Sequence, residues 1–110
     1  MSFVVSTEEA AHSKKVGEVY VKGDYHRYSG GFVILKGAPR CLTKKQIIKQ
    51  VIEGGVESLP TVRGEFSVIH YNIKSRVIEF TNDKLGREYF LYFWRGQEFI
   101  LSDDFWEIVN

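Results

Sequence analysis

Short runs of β-branched and aromatic residues, separated by glycine-bearing turns, surround one stretch with helical spacing. Phe3-Val4-Val5 predicts a short strand, and residues 8–14 read as a turn of helix or a loop. Val16 to Lys22 predicts a strand, because its valines and tyrosine suit a pleated surface. Gly23-Asp24 ends it. After Tyr25 to Ser29, Gly30-Gly31 turns the chain into Phe32-Val33-Ile34-Leu35, an apolar run of the kind found in buried strands. Gly37-Ala38-Pro39 is expected to stop that strand.

The helical stretch follows. In Thr43-Lys44-Lys45-Gln46 the threonine hydroxyl can accept from the backbone three residues on, and Gln46 can reach back, which is a capping box. Ile47, Ile48, Val51 and Ile52 then share one helix face. Gly54-Gly55 supplies the positive φ that stops a helix.

Beyond Pro60 the period returns to two. Phe66 to Tyr71, Arg76 to Thr81, Glu88 to Trp94 and Glu98 to Ser102 predict four strands. Asn72-Ile73-Lys74-Ser75, residues 82–87 and Arg95-Gly96-Gln97 are the turns between them. Residues 103–109 predict a last short helix carrying Phe105 and Trp106. Consecutive strands with short turns form an antiparallel meander. With a helix set before it the fold class is α+β: one main helix on a meander, with room for two layered sheets.

Composition narrows the function classes. A chain of 110 residues builds one core, so residues 1–110 are expected to form a single domain. Its formal net charge of +1 lacks the basic surplus of a general nucleic-acid binder. That charge is divided unevenly. Residues 1–55 hold nine basic and five acidic side chains, and residues 56–110 hold six and nine. Lys44, Lys45 and Lys49 supply much of the first excess, and Asp103, Asp104 and Glu107 much of the second. The 8 Phe, 6 Tyr and 2 Trp are also uneven, five before residue 56 and eleven from Phe66 onward. Acidic residues outnumber basic ones among these later aromatics, so packing or an interface explains them better than base stacking. The start, with Phe3-Val4-Val5 followed by Glu8-Glu9, lacks the pattern of a signal peptide, and no run has the length of a membrane span. One cysteine fits a reducing compartment, so a cytoplasmic protein is expected, with neither membrane nor nucleic acid as partner.

Few residues suggest chemistry by themselves. Cys41 stands beside Arg40 just before the helix, where dipole and guanidinium favour a thiolate, but no histidine is near it in sequence. His12, His26 and His70 show no metal-ligand spacing, so no metal or cofactor is expected. Strand parity puts Ser67 and His70 on opposite faces, against a serine–histidine pair, and puts His70 opposite Ile69 and Tyr71. Gly30-Gly31 and Gly54-Gly55 lack the flanks of a phosphate loop.

The second half carries a longer pattern. Arg63-Gly64-Glu65-Phe66 opens a strand, Asn82-Asp83-Lys84-Leu85-Gly86-Arg87 forms a D-x-x-G turn, and Phe90-Leu91-Tyr92-Phe93 and Phe99 to Ser102 follow. This resembles the glutamine-hydrolysing domain of asparagine synthetases and other class II glutamine amidotransferases, with its G-x-F strand, hairpin, D-x-x-G turn and apolar-aromatic strand. The helix before the G-x-F strand matches as well. Val21-Lys22-Gly23-Asp24-Tyr25 is similar to the family's N-G-E-I-Y segment. The resemblance covers the second half and, more loosely, the middle. It implies a shortened fold of the N-terminal nucleophile (Ntn) hydrolase kind, with architectural roles for Gly64, Phe66, Asp83 and Gly86. By themselves, Asp83 can bond its own turn and Gly86 can supply positive φ.

The resemblance also shows what is missing. The family's cysteine follows the initiator methionine and uses its own amine as base. Here Ser2 stands there, without the glycine the family has nearby. The family's oxyanion-hole asparagine falls on Lys22, beside a matching Gly23, and a flexible lysine is a poor pre-aimed donor. Lys22 and Gly23 remain candidate ligand-binding positions. The aspartate that grips the substrate amine falls near Ala38-Pro39, where there is no carboxylate. The chain is also shorter than a complete glutaminase domain. The expectation is therefore a pseudoenzyme: a non-catalytic binding or scaffold domain acting with an asparagine-synthetase-type, ATP-dependent amide-forming subunit, or on a peptide. A self-assembling homo-oligomer is the second reading. A small amidohydrolase using Ser2 as nucleophile is the third.

Overall fold

The computed structural model describes residues 3–9, 12–40, 42–59, 63–82, 91–95 and 98–102, and side chains for 3–9, 12–37, 42–59, 66–81 and 98–102. The protein is α+β, with two antiparallel sheets and one main helix. The chain divides into two compact units: Met1–Asp24 with Phe90–Asn110, and Tyr25–Tyr89 between them.

The first unit holds β1 (Val4–Ser6), β2 (Lys14–Val16) and β3 (Val19–Lys22). Two later strands complete its sheet: β8 (Leu91–Arg95) and β9 (Glu98–Ser102), which follow the second unit's β4 (His26–Tyr28), β5 (Gly31–Arg40), β6 (Arg63–Asn72) and β7 (Val77–Asn82) along the chain. The strand order is β2-β3-β1-β9-β8. β1 is central, and all its residues are buried. Val5 stands opposite Val21 on one side and Leu101 on the other, forming an apolar row across the sheet. Polar groups close the β1–β9 seam. The Ser102 hydroxyl donates to the Phe3 carbonyl at 2.8 Å, and the Phe99 N–H donates to Thr7 Oγ1 at 3.2 Å.

This sheet corrects two expectations. Residues 16–22 are not one strand, because the chain reverses between Val16 and Val19, which face each other. Gly17 has φ 61°, as the first central residue of a type II′ hairpin turn requires. The meander is also divided. β7 and β8 follow each other in sequence but belong to different sheets, and β9 pairs with β1 rather than extending the β6–β7 hairpin.

In the second unit the order is β4-β5-β6-β7. β5 and β6 form a ladder from Gly31↔Asn72 to Arg40↔Arg63. Thus β5 runs through Gly37-Ala38-Pro39 instead of ending there. Proline fixes a φ that extended backbone accepts, and it removes only one donor from the ladder. A short β4 also stands at the edge, where the residue pattern marks no element.

Helix α1 (Lys44–Gly54) begins as its sequence predicts. Gln46 N–H donates to Thr43 Oγ1 at 3.2 Å, and Thr43 N–H donates to Gln46 Oε1 at 2.8 Å. Ile47 and Val51, both fully buried, lie with Val33, Leu59, Phe66 and Val68 in one apolar cluster. Ile48 and Ile52 flank it. At about 25 cal/mol per Å² of apolar surface removed from water, such side chains contribute about 1.5–3 kcal/mol each. Phe32, Ile34, Ile69 and Tyr71 are buried on the sheet's other face. α1 ends where Gly55 N–H donates to the Val51 carbonyl at 2.7 Å, and a 3-10 turn, Val56–Ser58, follows.

Candidate functional site

The α1-facing side of the second sheet is not wholly apolar. Along β6 the residues Phe66, Val68 and His70 point to that side, while Ser67, Ile69 and Tyr71 point away. His70 is opposite Val33 on β5 and Glu79 on β7. Tyr28, opposite Gly31, brings a third polar group to the same face.

These three side chains form one chain of hydrogen bonds. His70 Nδ1 lies 2.8 Å from Glu79 Oε1, and Tyr28 Oη lies 2.6 Å from His70 Nε2. A carboxylate only accepts, so Nδ1 carries the proton; in the neutral ring Nε2 then accepts from the phenol. The Tyr28 and His70 rings are stacked, their centroids 5.9 Å apart. Glu79 Oε1 also accepts the Val56 N–H at 3.1 Å, tying edge strand β7 to the turn after α1. Gly55 makes room for this contact. It has φ 75° and ψ 176°, and a β-carbon there would stand 2.9 Å from Glu79 Oε1.

The electrostatics follow from burial. His70 is only 5% exposed, and Glu79 is half-buried. Burial raises the Tyr28 hydroxyl above its ordinary pKa of 10.0, the Glu79 charge adds to the rise, and Arg27 offsets part of it. Arg27 Nη1 also donates to the Gly31 carbonyl at 2.8 Å and to the Tyr28 carbonyl. Among the described residues, every buried side-chain nitrogen and oxygen has a hydrogen-bond partner.

A carboxylate–imidazole–hydroxyl chain has the connectivity of an acid–base relay. Its geometry here is that of a lock. The phenol is held protonated, both ring nitrogens are engaged, and the imidazole is covered. Ser67 lies on the opposite face, as strand parity predicts, in register with Lys36 and Asn82.

The residues singled out in the sequence are placed as follows. Lys22 ends β3 opposite Val4 and is half-buried, and Gly23 follows with φ 106°. Both belong to the first unit. Gly64 and Phe66 lie on β6 in the second unit, opposite Pro39 and Gly37, with Phe66 buried in the α1 cluster. Ser2, Cys41, Asp83 and Gly86 lie outside the described residues, as do the turn 83–87 and the helix expected at 103–109. Among the described residues no group of three or more His, Cys, Asp or Glu is placed to hold a metal ion. No described helix is long and apolar enough to cross a membrane.

Residue reasoning did not find Tyr28 or Glu79. The signal for Glu79 was the hairpin register, which depends on which residues form the turn. A turn at 72–75 puts Val77 opposite His70, whereas the observed pairing of Asn72 with Val77 puts Glu79 there.

No family model matches the chain, and neither the curated proteins nor the solved structures contain a significant match.

Proposed function

We propose that this chain is a non-catalytic binding or scaffold domain related to the class II amidotransferase fold, serving an ATP-dependent amide-forming partner or a peptide. The observation that supports this reading is the state of His70. The histidine that a carboxylate backs and a hydroxyl meets is buried, and its bonds are spent within the fold. Such a network stabilises one arrangement of a sheet and a helix, as a scaffold needs. The resemblance of the segment from Gly64 to Ser102 suggests the lineage. Lys22 in the place of an oxyanion-hole asparagine agrees with a lost glutaminase activity.

The test has two arms. Purified protein is incubated with glutamine and ammonia release is followed; no release above buffer is expected. Separately, the protein is mixed with an asparagine-synthetase-type, ATP-dependent amide-forming enzyme that lacks its own amidotransferase domain, and complex formation is followed by size-exclusion chromatography. A one-to-one complex is expected, or failing that, saturable binding of the peptide that synthetase modifies. Ammonia release that disappears in Ser2→Ala supports the amidohydrolase reading instead and overturns this one. Failure to bind either partner also overturns it.

A further inference from the structure

The charged residues of α1 are ordered along its axis. Lys44, Lys45 and Lys49 occupy its first half, Glu53 its last turn, and Glu57 the 3-10 turn beyond; all five are exposed. Lys45, Lys49 and Glu53 are spaced four residues apart, so they form one stripe along the helix, opposite the face that buries Ile47 and Val51. Half-buried Ile48 and Ile52 border the stripe.

This order runs against the helix. Backbone dipoles make the N-terminal end positive and the C-terminal end negative, so acids suit the first turn and bases the last. α1 has no acidic residue in its first turn and no basic one in its last. Side-chain charges and backbone dipole therefore add. Lys45 and Lys49, one turn apart, repel each other, and Lys49 with Glu53 has the less favourable orientation, lysine first. Among the described residues none of these five side chains has an ion-pair partner. A local rule broken without compensation inside the chain points to compensation outside it.

We infer that the outer face of α1 is a twofold interface, on which α1 of a second copy lies antiparallel. The stripe favours a second copy because it is its own complement. In an antiparallel pair centred at the level of Val51, Lys49 meets Glu53 of the second copy, twice by symmetry, and Lys45 approaches the end that carries Glu57. The two dipoles oppose, and each positive end lies along a negative one. Ile52, one residue from the axis, adds apolar surface there. A register centred on Lys49 sets two ammonium groups face to face and is disfavoured. A nucleic acid fits this face poorly, since Glu53 and Glu57 would meet its phosphates. This inference is independent of the scaffold reading, since it concerns another surface and another partner.

Sedimentation equilibrium on the full chain tests it, over a concentration series at low and at high salt. The expected result is a monomer–dimer equilibrium that weakens as salt screens the pairs. Lys49→Glu leaves only carboxylates at positions 49 and 53, and Glu53→Lys leaves only ammonium groups. Each should weaken self-association at least about ten-fold. Mixed together, the two variants should associate, because each supplies what the other lacks. The double variant Lys49→Glu, Glu53→Lys should dimerise again. A role in folding alone would produce no such recovery, and unchanged circular dichroism shows that each variant has folded. Three results overturn the inference: a monomer at every concentration, a dimer that both single variants form as tightly as the wild type, and single variants whose association neither mixing nor the double substitution recovers.

Discussion

His70 and Glu79 face each other across the β6–β7 hairpin, with Nδ1 2.8 Å from Oε1, and the same carboxylate oxygen takes the Val56 N–H at 3.1 Å. One oxygen therefore ties the sheet to the turn after α1. Glu79→Ala leaves a buried imidazole N–H and a backbone N–H without their acceptor. Losing bonds to a charged group in such a site costs about 1.5–3 kcal/mol. Glu79→Gln keeps an acceptor and should cost less. Urea unfolding of both variants checks the order. A His70→Ala, Glu79→Ala double-mutant cycle should show a coupling above about 0.5 kcal/mol, because the two side chains touch.

Gly55 should tolerate no side chain. Its φ of 75° with ψ 176° is a region open essentially to glycine, and the added methyl would meet the Glu79 carboxylate. Gly55→Ala should therefore cost about 1–3 kcal/mol. In a Glu79→Ala background the contact term disappears and only the backbone strain remains. The second substitution should be less harmful there than in the wild type, a difference thermal melts can read.

The α1 capping box gives a smaller, cleaner effect. Thr43→Ala removes the acceptor for the Gln46 N–H and should cost about 1 kcal/mol, whereas Thr43→Ser should be nearly neutral. Circular dichroism melts of the two variants make the comparison. An equal loss in both would show that the hydroxyl does not act as the cap.

Alkaline stability should depend on Tyr28. Its folded pKa lies above the ordinary 10.0, first because it is buried and then because Glu79 is near. As pH rises past 10.0 the unfolded chain loses this proton before the folded one does. The unfolded state then holds fewer protons, so stability falls with pH in that window. The contribution is complete below the unfolded value and is lost as pH approaches the folded one. Tyr28→Phe should lower stability at neutral pH through the lost bond to His70, and should flatten the alkaline decline. Denaturant midpoints measured at successive pH values test both. In the wild type, absorbance titration should show one phenol ionising later than in the unfolded chain.

Local signals told most where each element depended on its own residues. The helix between Thr43 and Gly55 was legible because both caps and the Ile47–Val51 stripe lie within one short segment. The fold class followed from the order of strands, short turns and one helix, and the opposite faces of Ser67 and His70 from strand parity. The hairpin at Gly17 was hidden because valines flank the glycine on both sides, so the run reads as continuous. The polar network was hidden for a subtler reason. Arg76 takes φ 60°, a left-handed conformation that arginine seldom adopts. Its N–H donates to the Asn72 carbonyl at 2.9 Å, and Ser75 N–H donates to Asn72 Oδ1 at 3.0 Å. This shifts the turn to 73–76 and sets Glu79, not Val77, against His70. Tyr28 reaches His70 from 42 positions away, a distance over which no periodicity speaks.

The seam between β1 and β9 has a consequence for the order of folding. Phe3 and Ser102 are bonded across it although 99 positions apart, while residues 25–89 form a continuous stretch with its own sheet, helix and apolar cluster. Closing so long a loop is slow compared with forming the hairpins and the antiparallel β5–α1–β6 connection. During synthesis the middle of the chain can assemble while β1 still waits for a neighbour that has not left the ribosome. Pulse-labelled hydrogen exchange during refolding should therefore protect the β5–β6 amides before those of β1. The central strand of the first sheet, the earliest to be made, would be among the last to be secured.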